Sequence, residues 1–141
     1  MTRLAAMEKG EYYPTPLSVV ECIGPRITVT RRGRHVVRVF DPCCGEGMAA
    51  ARLAEIIHAR HPDLRVETWG VEINSKRAKE AEGRLTRVIC APFEVTAWSP
   101  KDHTPVSILF LNPPYDYAES SVRRRLETVF LELSLIHISE P

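Results

Sequence analysis

Apolar residues along this chain fall into short runs separated by polar, turn-rich connectors, and the runs alternate between two periodicities. Residues 36–40 (Val-Val-Arg-Val-Phe), 65–74, 87–90 and 106–111 are rich in β-branched and aromatic residues and read as strands, the first and last as buried ones. Between them lie segments with helical spacing. Residues 48–57 form an Ala-rich run of high helix propensity. Residues 76–85 form a second helix, with Ser75 placed as its cap. Ahead of the first strand, Thr15 is expected as an N-cap with Pro16 at the first helical position, opening a helix that Gly24-Pro25 ends. After the fourth strand, apolar residues at 122, 126, 129 and 130 resume a helical pattern. Strand–helix alternation of this kind predicts an α/β fold with a doubly wound parallel sheet.

The loops carry the chemistry. Asp41-Pro42-Cys43-Cys44-Gly45-Glu46-Gly47 joins the first strand to the Ala-rich helix. Its glycines permit positive φ and a close backbone approach to a ligand, and the helix start beyond them offers unpaired N–H groups to an anion. The spacing is G-x-G with no third glycine and no Gly-Lys-Ser/Thr, so it fits neither the dinucleotide fingerprint nor a phosphate loop. Glu72 stands at the end of the second strand, where a carboxylate can accept both hydroxyls of a ribose. The fourth strand stops at Asn112-Pro113-Pro114-Tyr115. Two adjacent prolines cannot continue a ladder, so a rigid loop is expected at that strand's carboxyl end, where open parallel sheets bind ligands.

Composition narrows the class. The chain has 141 residues, 44% hydrophobic and 26% charged, near the average of globular domains. Net charge is +1, so no global field argues for nucleic acid. Basic runs at Arg31-Arg32-Gly33-Arg34 and Arg123-Arg124-Arg125 read as solvated faces. No apolar run reaches the roughly 20 residues of a membrane span, and the first residues lack the core of a secretory signal. Cysteines at 22, 43, 44 and 90 show no C-x-x-C and no histidine at ligand spacing, so no metal site is expected. They read as small buried apolar side chains in a reducing, cytoplasmic setting.

Taken in order, Thr15-Pro16, the D-P-x-C-G-x-G loop, Glu72 and N-P-P-Y resemble the S-adenosylmethionine-dependent DNA adenine-N6 methyltransferases over residues 12–131. The resemblance implies the Rossmann-like sheet of class I methyltransferases, S-adenosylmethionine as cofactor, and DNA as substrate with the target base flipped out. It implies that Thr15 and Pro16 lie against the methionine part of the cofactor. Asp41, Cys44, Gly45 and Gly47 would form its loop, Glu72 would hold the ribose, and Ile73 and Phe93 would pack on the two faces of the adenine. Asn112, Pro113, Pro114 and Tyr115 would form the target-base site. The family's acidic residue two before the Phe93 position is here Ala91, so the adenine contact must come from elsewhere. A protein glutamine amide or an rRNA guanine amine are the alternative acceptors for the same N-P-P-Y. Cytosine-C5 methylation is disfavoured, because the fourth-strand loop holds no cysteine.

Residues 133–141 (Leu-Ser-Leu-Ile-His-Ile-Ser-Glu-Pro) resemble a translated sequencing adaptor. Residues 1–132 are then expected to be the N-terminal part of a methyltransferase catalytic domain, with four of its strands, and the chain as it stands to be an inactive fragment.

Overall fold

A computed structural model describes residues 13–30, 35–93, 96 and 106–112. Helix α1 (Leu17–Ile23) runs into a 3-10 turn (Gly24–Arg26). Strand β1 (Val36–Asp41), helix α2 (Met48–Arg60), strand β2 (Arg65–Glu72), helix α3 (Ser75–Glu82) and strand β3 (Arg87–Cys90) follow, and β4 (Ile108–Leu109) closes the order. The sheet order is β3-β2-β1-β4 with every neighbour parallel, so the parallel sheet expected from the alternation is the one observed. β1 lies inside it, pairing Val36↔Arg65 through Asp41↔Gly70 on one side and Val39↔Ile108 on the other.

That central position explains why β1 is buried from Val37 through Asp41. Alternate side chains serve opposite faces. Val37 and Val39 meet the stripe of Leu53 and Ile57 on α2, together with Val20 of α1 and Leu64. Ala50, Leu53 and Ile57, spaced three and four apart, are the buried residues of α2, as an amphipathic helix requires. On the other face Phe40, Val71 and Phe93 form a second cluster with Trp69, Ile89 and Leu109. Arg38 also belongs to that face and is buried. Its guanidinium pairs with Glu67 at 2.8 Å on the neighbouring strand and lies 3.8 Å from the Trp69 ring centroid, so the buried charge is both paired and covered.

Several local expectations are corrected. Thr15 is not the N-cap of α1. Pro16 occupies that position, with φ −57° and ψ 135°, and its carbonyl accepts the first helical N–H groups. Ser75 lies inside α3 rather than capping it. Asn74 is the cap, its Oδ1 accepting the N–H groups of Lys76 and Arg77 at 3.1 Å each, because an extended residue with a side-chain carbonyl reaches both orphan donors. β2 ends at Glu72 instead of running to residue 74, since the Glu72 carboxylate draws the Asn74 N–H out of the ladder. β4 covers two residues where 106–111 were expected. At its start Ser107 Oγ, in place of a backbone carbonyl, accepts the Arg38 N–H. Cys22 and Cys90 are exposed, against the expectation of burial.

Among the described residues no helix is long and apolar enough to cross a membrane. The basic runs at 31–34 and 123–125, the helix at 122–131 and the segment 133–141 lie outside the described residues.

Candidate active site

The site is assembled at the carboxyl ends of β1, β2 and β4. The loop after β1 turns sharply through Gly45 (φ 55°) and Gly47 (φ 80°), left-handed values that a side chain resists. A Cβ on Gly47 would also come 3.0 Å from Leu85. Three contacts hold the loop down. The Cys44 N–H donates to the Val71 carbonyl at 2.9 Å, the Gly45 N–H donates to Glu72 Oε2 at 2.9 Å, and Arg84 Nη1 donates to the Glu46 carbonyl at 3.0 Å. The Cys44 side chain packs on Gly70 of β2, where a Cβ would lie 2.6 Å from its sulfur. Gly70 is therefore a seat for the loop.

Glu72, 5% exposed, is the hub. Its Oε1 accepts from the Asn74 N–H at 2.8 Å and from Arg77 through Nε at 3.2 Å and Nη2 at 2.8 Å, while Oε2 accepts from Gly45. A carboxylate offers about four acceptor positions, two on each oxygen. Oε1 is saturated and Oε2 retains capacity, which suits one ribose hydroxyl directly; a second would have to share Oε1 with Arg77. Next to Glu72, Ile73 is 66% exposed, an open apolar side chain at the strand end and a suitable surface for an aromatic ring. Phe93 is buried instead, its ring centroid 6.1 Å from that of Phe40.

Asp41 closes β1 and is buried. Its Oδ1 accepts the Cys43 N–H at 3.0 Å. Burial pushes its carboxyl up to about 7; the Cys43 N–H works against this and the charge of Glu72 adds to it. Cys43 and Cys44 are both raised well above an ordinary thiol, by burial first and then by the charges of Asp41 and Glu72. They stay protonated thiols, suited to donating hydrogen bonds and not to nucleophilic attack.

At the end of β4, Asn112 comes back against both neighbouring segments. Its Nδ2 donates to Thr15 Oγ1 at 2.9 Å and to the Tyr13 carbonyl at 3.3 Å, and its backbone carbonyl accepts from Cys43 Sγ at 2.9 Å. The three segments singled out in the sequence thus meet at one place. Pro113, Pro114 and Tyr115 lie outside the described residues.

Of the expected site residues, Asp41, Cys44, Gly45, Gly47, Glu72 and Ile73 share the ends of β1 and β2, and Thr15 and Asn112 touch. Pro16 is exposed beside them. Reading the sequence missed Arg77, Asn74, Gly70, Arg84 and the role of Cys43. Only Asn74 carried a local signal, as a cap-forming residue next to Ser75.

The model of the "Uncharacterised methyltransferase family (DUF6094)" matches residues 1–140. The chain belongs to that family. Its fold is also that of solved class I enzymes. It superposes with a TM-score of 0.75 and 14% identity on a "putative" class I S-adenosylmethionine-dependent methyltransferase from Listeria monocytogenes, covering 92% of this chain and 44% of that one. A type I restriction-modification methyltransferase subunit from Streptococcus thermophilus matches at TM-score 0.67 and 18% identity, covering 92% of this chain and 32% of that one. The chain thus spans less than half the length of these structures. No curated protein matches it. A methyltransferase family on this fold implies S-adenosylmethionine as the methyl donor, and the glycine turn, the acceptor capacity on Glu72 and the open face of Ile73 fit it.

Proposed function

We propose that the full-length protein transfers a methyl group from S-adenosylmethionine to a planar exocyclic amine, the N6 amine of adenine in DNA. The observation that carries this reading is the contact of Asn112 with Cys43: the residue expected to receive the amine sits directly against the loop expected to hold the cofactor. The similarity to a restriction-modification methyltransferase subunit supports DNA as the substrate.

When bound, S-adenosylmethionine supplies an electrophilic methyl on a sulfonium. Glu72 would accept from its ribose, Ile73 would pack on its adenine, and Asp41, Cys44, Gly45 and Gly47 would shape the pocket for its amino-acid end, with Pro16 flanking. An exocyclic amine is a poor nucleophile because its lone pair is delocalised into the ring. With both N–H bonds of Nδ2 directed back into the protein, the Asn112 amide can act on such an amine only as an acceptor, through Oδ1. Asn112 Oδ1 and the Pro113 carbonyl would accept its two N–H bonds, drawing the nitrogen toward tetrahedral geometry as the N–C bond forms; the methyl–sulfur bond would break, a neutral thioether would leave, and the methylated amine would give up one proton to solvent. Pro114 would stiffen the loop and Tyr115 would stack on the flipped base. Placement of the two reactants at contact distance, away from water, supplies much of the rate.

Labelled-methyl transfer to duplex DNA, to RNA and to a glutamine-containing peptide tests the reading. Labelling of DNA at adenine N6 is expected; labelling of the peptide or of RNA alone would overturn it. Asn112→Ala should abolish transfer while cofactor still binds.

A further inference from the structure

Asn112 is gripped at two points by segments remote in sequence. The Thr15 hydroxyl takes its side-chain nitrogen at 2.9 Å, 97 residues away, and the Cys43 thiol takes its backbone carbonyl at 2.9 Å, 69 residues away. Each contact restrains a different degree of freedom. A primary amide turned by 180° about its terminal torsion would present N–H groups where it should present oxygen, so its polarity has to be set by its partners. The Tyr13 carbonyl can only accept and so sets it, while Thr15 Oγ1, able to donate or accept, takes the other Nδ2 proton and anchors the amide in place. The Cys43 bond fixes the peptide plane through which the chain enters Pro113. Burial together with the nearby carboxylates keeps Cys43 a thiol, which is the form able to donate.

We propose that Thr15 and Cys43 are positioning residues for Asn112, Thr15 anchoring the side-chain amide whose polarity the Tyr13 carbonyl sets, and Cys43 fixing the plane of its backbone carbonyl. The inference rests on the reading of Asn112 as the amine acceptor. It gives Thr15 a task at the acceptor. The hydroxyl places one of its two acceptor lone pairs on Asn112, a contact that cofactor binding alone does not call for. It also gives Cys43, the third residue of the D-P-x-C-G-x-G loop, a task of its own. The loop that shapes the cofactor pocket thereby also positions the acceptor.

The tests are Thr15→Val, which keeps shape and removes the hydroxyl, and Cys43→Ala, each beside its conservative partner, Thr15→Ser and Cys43→Ser. Cofactor affinity is read by titration calorimetry and turnover by labelled-methyl transfer. The side-chain amide of Asn112 is followed by NMR hydrogen exchange. For Thr15→Val we expect kcat to fall by tenfold or more, the cofactor Kd to stay within twofold, and the Asn112 amide to exchange at least tenfold faster. For Cys43→Ala we expect a smaller kcat loss with the same unchanged Kd, and for both serine variants recovery of most of the loss. A raised cofactor Kd with kcat intact in Thr15→Val would return Thr15 to the cofactor and overturn the proposal, as would unchanged exchange at Asn112. Wild-type protein that binds S-adenosylmethionine and methylates no planar amine would sink the functional reading instead; amide exchange would still decide whether Thr15 holds Asn112.

Discussion

The Glu72 carboxylate accepts the backbone N–H of Gly45 at 2.9 Å, joining the end of β2 to the glycine turn after β1. The same side chain holds Asn74 and Arg77, so one buried acid organises the loop, the strand end and the first turn of α3. Its two simplest disruptions should differ in cost. Arg77→Met strands a buried carboxylate and should lower unfolding free energy by about 3–5 kcal/mol. Glu72→Gln leaves a guanidinium that can swing to water and should lower it by roughly 1–3 kcal/mol, while weakening cofactor binding at least tenfold. Urea denaturation and calorimetry check both; a larger stability loss in Glu72→Gln would contradict the ordering.

Asp41 should leave a pH signature. Its folded-state value of about 7 lies above the unfolded value of 3.8, so the folded chain retains a proton between these limits that the unfolded chain has lost. The stability linked to Asp41 is full below about pH 4, declines as pH rises toward 7 and is level beyond. Asp41→Asn should remove this component, so the stability gap between the two proteins should change between pH 4 and 7 and stay constant above. A gap constant across that window in denaturation curves would refute the burial argument.

Gly70→Ala should be poorly tolerated although Gly70 has an ordinary strand backbone. The added methyl would lie 2.6 Å from Cys44 Sγ and 2.9 Å from Leu85 Cδ1. Overpacking of this kind costs about 1–3 kcal/mol and should also lift the cofactor loop. Cys44→Ala in the same chain should restore part of the thermal stability, since it removes the sulfur in closest contact.

Removal of the α3 cap by Asn74→Ala should lower stability by about 0.5–2 kcal/mol. Ser75→Ala should change it by a few tenths at most, about the size of an exposed helical substitution. Thermal melts of the two variants decide between the caps, and a larger effect at Ser75 would reverse the assignment.

The sequence by itself determined the strand–helix order, the parallel sheet and the two glycines that turn the loop, because apolar periodicity, β-branched runs and positive-φ demands are properties of adjacent residues. It also put Glu72 at a strand end. Tertiary structure alone decided who pairs with whom. Thr15 carries a hydroxyl that by local rules should cap its own helix, and it serves Asn112 instead because β4 brings that amide within 2.9 Å. Gly70 looks like a weak strand residue until Cys44 is laid across it. Arg77 carries no local signal, and only the turn after β2 folds it onto Glu72. A polar side chain has several possible partners of similar intrinsic strength, and only the packing of the sheet and loops selects among them.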